Sequence, residues 1–199
     1  MAMTNQSSLP EMVAQSREIM QSPSVPAFER YERRGTMASA AIYIGVAALV
    51  AAVIGLVGSF LPGPPAPGLG GFVGGLLSAL VQFFVFTGMV YLLGKNMYRG
   101  TGTWDEVSYS FSLFTAPLIV IGALVSFVVL LFAWVPLINL LVGFAGAIVG
   151  ILLLLVQVYY AYLAVQASMN LRDQTQSIVV LVLSFLATAV VMLLVGWIF

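Results

Sequence analysis

Few side chains in this sequence could carry out chemistry. Its 199 residues include no Cys and no His, and only seven Lys or Arg and seven Asp or Glu. Without Cys or His, the chain cannot form disulfides, Cys/His zinc sites, thiol nucleophiles or imidazole general bases. A Ser–Lys pair built on Lys95 is the remaining nucleophilic option, and the apolar segments contain no Asp for an aspartyl dyad. The sequence therefore predicts a protein that is not an enzyme and has no cofactor.

The most distinctive polar stretch is residues 94–106, which reads Gly-Lys-Asn-Met-Tyr-Arg-Gly-Thr-Gly-Thr-Trp-Asp-Glu. A glycine-rich loop before a helix can bind phosphate, but this stretch contains no Walker pattern. Thr103 and Glu106 fit a capping box, and Asp105 would complement the positive end of the helix dipole. We favour this structural interpretation because it explains the polar residues without a ligand.

Three charge-free runs separate the polar segments of the chain. They are residues 35–94, 107–171 and 174–199. Charged residues make up 7% of the chain, against about 25% in soluble domains. One membrane span needs about 20 apolar residues, and prolines near positions 62–68 and at Pro136 divide the first two runs. The sequence predicts an all-α integral membrane protein, a bundle of five spans at 37–61, 72–94, 108–134, 137–158 and 178–199. The fourth helix is predicted to continue for about two turns beyond Tyr160 as a cytoplasmic extension.

The basic residues all fall on one side of the membrane when five spans alternate. Four arginines precede the first span, Lys95 and Arg99 follow the second, and Arg172 follows the fourth. The positive-inside rule predicts a cytoplasmic N-terminus and an outer C-terminus. All acidic residues and all eight tyrosines sort to the same side, and we expect the tyrosine rings to lie at the headgroup level.

Polar side chains within the spans are scarce. The amides are Gln82, Asn139 and Gln157, which need partners in the membrane, either one another or backbone groups. Pro117 either kinks the third span or breaks it to form an ion site, and we favour the kink. Small residues four apart, as in Gly146-x-x-x-Gly150, indicate close packing within the bundle or a homo-oligomer interface.

Residues 1–36 are predicted to form a cytoplasmic amphipathic segment ahead of a transmembrane domain at 37–199. Ser8-Leu-Pro-Glu11 fits a capping box, and a second short helix carries Phe28 and Tyr31 next to Arg33 and Arg34. Four basic and four acidic residues balance in this segment, so it is not a polybasic lipid clamp. It is either a docking site for a protein partner or an interfacial collar.

Four features of the sequence resemble the Yip domain family of Ypt/Rab-interacting membrane proteins. They are Ser24-Val-Pro-Ala-Phe28-Glu29 before the first span, the 100–106 loop, Ala116-Pro117, and a long fourth helix running into Asn170-Leu-Arg172. The resemblance covers residues 23–195 and implies a non-enzymatic five-span membrane protein. The short N-terminal region and the Ala-, Gly-, Val- and Leu-rich composition resemble bacterial members in the cytoplasmic membrane, so Rab binding is not carried over.

Two functions fit these observations. The first is a membrane organiser or adaptor that binds proteins or lipids at its cytoplasmic face. Its candidate interaction residues are Phe28, Tyr31, Arg33, Arg34, Lys95, Arg99, Trp104, Asp105, Glu106, Arg172 and Asp173. The alternative is a small-solute or ion transporter, a channel or a lipid-scrambling protein, although spans without ionisable residues argue against a proton pump. Nucleic-acid binding is not predicted because no basic run exceeds two residues.

Overall fold

The computed structural model describes residues 7–61 and 68–198, and this part of the chain is helical with no strand. Its helices are α1 Leu9–Gln21, α2 Val25–Tyr31, α3 Met37–Gly58, α4 Gly68–Tyr98, α5 Trp104–Leu131, α6 Pro136–Ser168 and α7 Gln174–Ile198. A short 3-10 turn, Glu32–Arg34, joins α2 to α3. Helices α3 to α7 are long and apolar enough to cross a membrane. This confirms the predicted all-α bundle with five spans; the predicted break at 62–67 lies outside the described residues.

Capping residues set where the helices begin. Ser8 and Thr103 each form the predicted capping box, with Glu11 and Glu106 respectively. Asp173 Oδ1 accepts a hydrogen bond from the backbone N–H of Thr175 at the start of α7, at 2.9 Å. Because Thr103 and Asp173 precede the apolar runs, α5 and α7 each begin four residues earlier than hydropathy alone predicts.

The ends of α4 and α6 also extend beyond the predicted spans. Helix α4 continues to Tyr98, four residues past the predicted end of its span. Helix α6 continues to Ser168, which confirms the prediction that it extends about two turns beyond Tyr160. Polar helical ends therefore project from the same end of the bundle.

The central helix of the bundle is α5, which packs against α1, α3, α4 and α6, while α7 packs mainly against α4. Helix α5 runs without interruption through Pro117, so it is not broken there. Gly146 lets α6 approach α5 closely, because an added Cβ would lie 2.5 Å from Val129 Cγ2. No residue in the most apolar stretch of α6 is buried within the protein, so this stretch is open to lipid or to another chain.

The core lies in the half of the bundle next to the polar loops. Phe114 on α5 is at its centre, with ring centroids 6.2 Å from Phe28, 5.3 Å from Phe111 and 5.8 Å from Tyr160. These rings join α2, α5 and α6, and edge-to-face or offset aromatic pairs stabilise such a cluster. The short helix α2 is therefore part of the hydrophobic core.

Candidate functional site

The charged residues of the described chain come together at one end of the bundle, which we call the charged end. It consists of α1, α2, the 3-10 turn, the end of α4, the start of α5, and loops 99–103 and 169–173. The backbone N–H of Met37 donates to Asp105 Oδ1 at 2.7 Å, which joins the starts of α3 and α5. The backbone N–H of Thr101 donates to the carbonyl of Met169 at 3.3 Å, which joins the two loops.

Helix α1 packs across the charged end rather than lying free of the bundle. The side chains of Met12 and Ile19 are almost completely buried. Hydroxyls from three spanning helices bond to α1: Tyr43 to Ser16 Oγ (2.9 Å), Tyr109 to Gln15 Oε1 (2.7 Å) and Tyr160 to the carbonyl of Met20 (3.0 Å). The three tyrosines are buried. Their hydroxyls find partners within the protein, and the headgroup level of their rings stays a prediction.

A polar contact also holds α1 against α2. The Tyr31 hydroxyl donates to the carboxylate of Glu18, which also pairs with Arg30 Nη1 at 2.5 Å. Donation to this carboxylate, together with burial, raises the pKa of Tyr31 above its ordinary value, since both favour the neutral phenol. The Arg34 guanidinium lies over the Tyr31 ring, 5.4 Å from its centroid.

Packing explains the two glycines of the loop before α5. A Cβ added at Gly102 would lie 1.7 Å from the carbonyl oxygen of Ser168, and one at Gly100 would lie 2.6 Å from Met169 Cε. The loop therefore packs directly on the end of α6. Arg99 takes a left-handed φ of 55°, which ends α4 and turns the chain into this loop. These contacts support the structural interpretation of the loop.

Most of the predicted interaction residues are accessible at the charged end. Eight are exposed: Arg33, Arg34, Lys95, Arg99, Trp104, Asp105, Arg172 and Asp173. The Glu106 side chain is partly exposed, at 18%. Phe28 and Tyr31 are buried, because their rings complete the core beneath α1. We therefore remove these two residues from the candidate interaction surface.

Sequence reasoning missed Glu32, whose side chain is 4% exposed. Its burial, and to a smaller extent the like charge of Glu106, raise the pKa of Glu32 to about 7. Arg33 Nε lies 3.7 Å from Glu32 Oε1 and 3.6 Å from Glu106 Oε1. Within the run Glu29–Arg34 nothing distinguishes Glu32, because its burial follows from packing of the turn on α5.

The predicted intramembrane amides do not form a cluster. Gln82 on α4 and Gln157 on α6 are both exposed on the surface of the bundle, and Asn139 is half-buried. Gln157 lines a cleft of about 360 Å³ between α5 and α6, together with Thr115 and Ser126. Within the described part of the chain, Gln82 and Gln157 do not bond to each other, because they lie on different, outward-facing helix surfaces.

Comparison with protein families identifies the fold. The family model of the Yip1 domain matches residues 17–196. The chain belongs to the Yip1 domain family. The match extends from the second half of α1 through nearly all of α7, so this Yip1 domain includes the short helices of the charged end. The Yip1 family is one of non-enzymatic membrane proteins, and this member is an integral multi-pass membrane protein. Comparisons with curated proteins and with solved structures give no match.

Proposed function

We propose that this Yip1-family chain is a non-catalytic membrane organiser or adaptor whose charged end faces the cytoplasm and binds a protein partner. One observation carries the proposal: exposed charged side chains from three segments distant in sequence form one surface at the charged end. Residues 1–36 are the cytoplasmic segment in this proposal, and 37–199 are the membrane domain. A bacterial cytoplasmic membrane is the proposed location.

The composition of the charged end favours a protein partner over a simple lipid contact. Its exposed cations, such as Lys95 and Arg172, are accompanied by exposed Asp105 and Asp173, so acidic groups interrupt the positive charge that would attract anionic lipids. Trp104 is 38% exposed. Tryptophan and arginine are enriched at protein interfaces and carry much of their binding energy.

Affinity capture after cross-linking in native membranes tests the adaptor proposal. We expect a tagged full-length chain to recover a reproducible partner that is lost when Lys95→Glu and Arg172→Glu are combined. Both side chains are exposed, so their reversal changes the surface with little effect on packing. Trp134→Ala is the matched control, because Trp134 is 63% exposed beyond the far end of α5. A partner recovered equally by all three proteins would contradict the proposal.

Single-cysteine labelling tests the proposed orientation, since the native chain has no Cys. Asn96→Cys places an exposed thiol at the charged end, and Trp134→Cys places one at the opposite end. We expect a membrane-impermeant maleimide to label only the second thiol in intact cells and only the first in inside-out vesicles. The reverse pattern would place the charged end outside.

The cleft between α5 and α6 favours lipid movement as a second candidate function. Thr115, Ser126 and Gln157 give this otherwise apolar cleft polar groups within the spanning region. Lipid-flux measurements in reconstituted liposomes test this candidate. Gln157→Leu should slow flux, and Gln82→Leu, outside the cleft, should leave it unchanged. Absence of flux with the parent protein would eliminate this candidate.

A further inference from the structure

Glu32 lies where the N-terminal helices join the bundle. The 3-10 turn that contains Glu32 packs against both α2 and α5. Taken as a whole residue, Glu32 is 3% exposed. Within the described chain, Glu32 Oε2 is buried and has no hydrogen-bond partner. A buried carboxylate oxygen without a partner is costly when ionised, and protonation removes most of that cost.

The charges that face Glu32 do not compensate for its burial. Glu106 on α5 and Glu29 on α2 are both acidic, and Arg33 on the same turn is the opposing cation. Arg33 is shared between Glu32 and Glu106, at 3.7 and 3.6 Å, and its side chain is 75% exposed. Water screens so exposed a guanidinium, and one cation cannot neutralise two carboxylates. The geometry thus favours a neutral Glu32 in the docked turn.

We propose that a proton bound at Glu32 controls how tightly α2 and the 3-10 turn dock against α5. When the carboxyl is protonated the segment docks, and when it is ionised the segment opens more often. This inference concerns the regulation of the charged end and does not depend on the identity, or the existence, of a protein partner.

The direction of the pH dependence follows from linkage. The pKa of Glu32 is about 7 in the docked state, against the ordinary 4.5 that we expect once the segment opens. The docked state therefore binds the proton more tightly. The stability contributed by protonation is fully present below pH 4.5, is lost as the pH rises from 4.5 to 7, and changes no further above pH 7.

Cysteine labelling of the full-length chain in lipid nanodiscs tests this inference. Ala27→Cys places one thiol at a buried position of α2, so its reaction with a maleimide reports opening. The labelling rate is measured from pH 4.5 to 8 with Glu32 and with Glu32→Gln, an uncharged substitute for the protonated form. The ratio of the two rates cancels the thiol's own pH dependence. We expect this ratio to rise at least about fivefold between pH 5 and 7 and then level off.

Two further variants test whether the charges next to Glu32 set the pH at which the labelling ratio rises. Glu106→Gln retains a capping side chain at N3 and removes the like charge, so the rise in the ratio should move to lower pH. Glu29→Gln is the graded control, because Glu29 is exposed on α2 and is the weaker of the two like charges, so its substitution should shift the profile less than Glu106→Gln does. A ratio that stays flat from pH 5 to 7, or that responds equally to Glu29→Gln, overturns the proposal.

Hydrogen exchange provides a second readout that needs no cysteine. Exchange of the amides of residues 25–34 is compared between the native sequence and Glu32→Gln at each pH. We expect the native sequence to exchange faster relative to the variant at pH 7 than at pH 5. An unchanged relative rate would overturn the proposal even if Ala27→Cys fails to fold.

Discussion

At the scale of single residues, the charged end is stabilised by tyrosines that combine an apolar ring with one hydrogen bond. Tyr109 is fully buried, and its hydroxyl donates to Gln15. Tyr109→Phe would keep the ring and leave a buried amide oxygen without its donor, which costs about 1–3 kcal/mol. We expect the free energy of unfolding in mixed micelles to fall by that amount. Tyr159→Phe is the control, because Tyr159 is 50% exposed; an equal loss in both variants would contradict this interpretation.

Gly102 gives a second prediction at this scale. Because an added Cβ would lie 1.7 Å from the Ser168 carbonyl oxygen, Gly102→Ala must separate the loop from α6. Overpacking of this kind costs about 1–3 kcal/mol, and we expect a matching loss of thermal stability in detergent. Gly45→Ala is the control, since nothing lies within 4 Å of an added Cβ there and alanine favours the helix. Equal stability of the two variants would show that the loop does not pack as described.

Local residue patterns could be predicted from the sequence, whereas long-range burial could not. The capping boxes at Ser8 and Thr103 depend on residues three apart, so the sequence alone identifies them. The burial of Phe28 and Glu32 depends on α5, which lies far along the chain. Nothing in the local composition distinguishes buried Glu32 from exposed Glu29, three residues earlier.

At the scale of helices, α1 is held by one face only. Ile19 is fully buried, and Val13 on the same helix is 56% exposed. Ile19→Asp would bury a carboxylate without a partner, so we expect α1 to detach and trypsin to cleave faster after Arg17. Mass spectrometry of the digestion products measures this, and Val13→Asp should be cleaved at the parental rate. Parental cleavage of Ile19→Asp would show that α1 does not depend on its apolar face.

Hydropathy located all five spanning helices because each must satisfy its backbone internally across the apolar layer. It placed the starts of α5 and α7 four residues too late, because Thr103 and Asp173 start these helices among polar residues. The cleft between α5 and α6 could not be predicted, since its width depends on how two helices diverge beyond Gly146. The positions of the helices along the chain thus follow from composition, whereas the spaces between packed helices do not.

At the scale of the whole molecule, the bundle is closely packed at the charged end and open to lipid elsewhere. The aromatic cluster around Phe114 and the bonds to α1 concentrate burial near the polar loops. Large apolar side chains along α6, such as Leu141 and Phe144, are exposed, and lipid or a second copy of the chain can cover them. A homo-oligomer built on α6 stays a prediction. This asymmetry makes the charged end, which we propose binds a partner, the most closely packed part of the bundle.

Site-specific photo-cross-linking in native membranes tests the central proposal most directly. A photoreactive amino acid is placed at exposed Lys95 at the charged end, or at exposed Trp134 at the opposite end. We expect a discrete, reproducible cross-linked protein from position 95 and none from position 134. Cross-links to lipid alone at position 95, or the same protein captured from both positions, would contradict the claim that the charged end binds a partner.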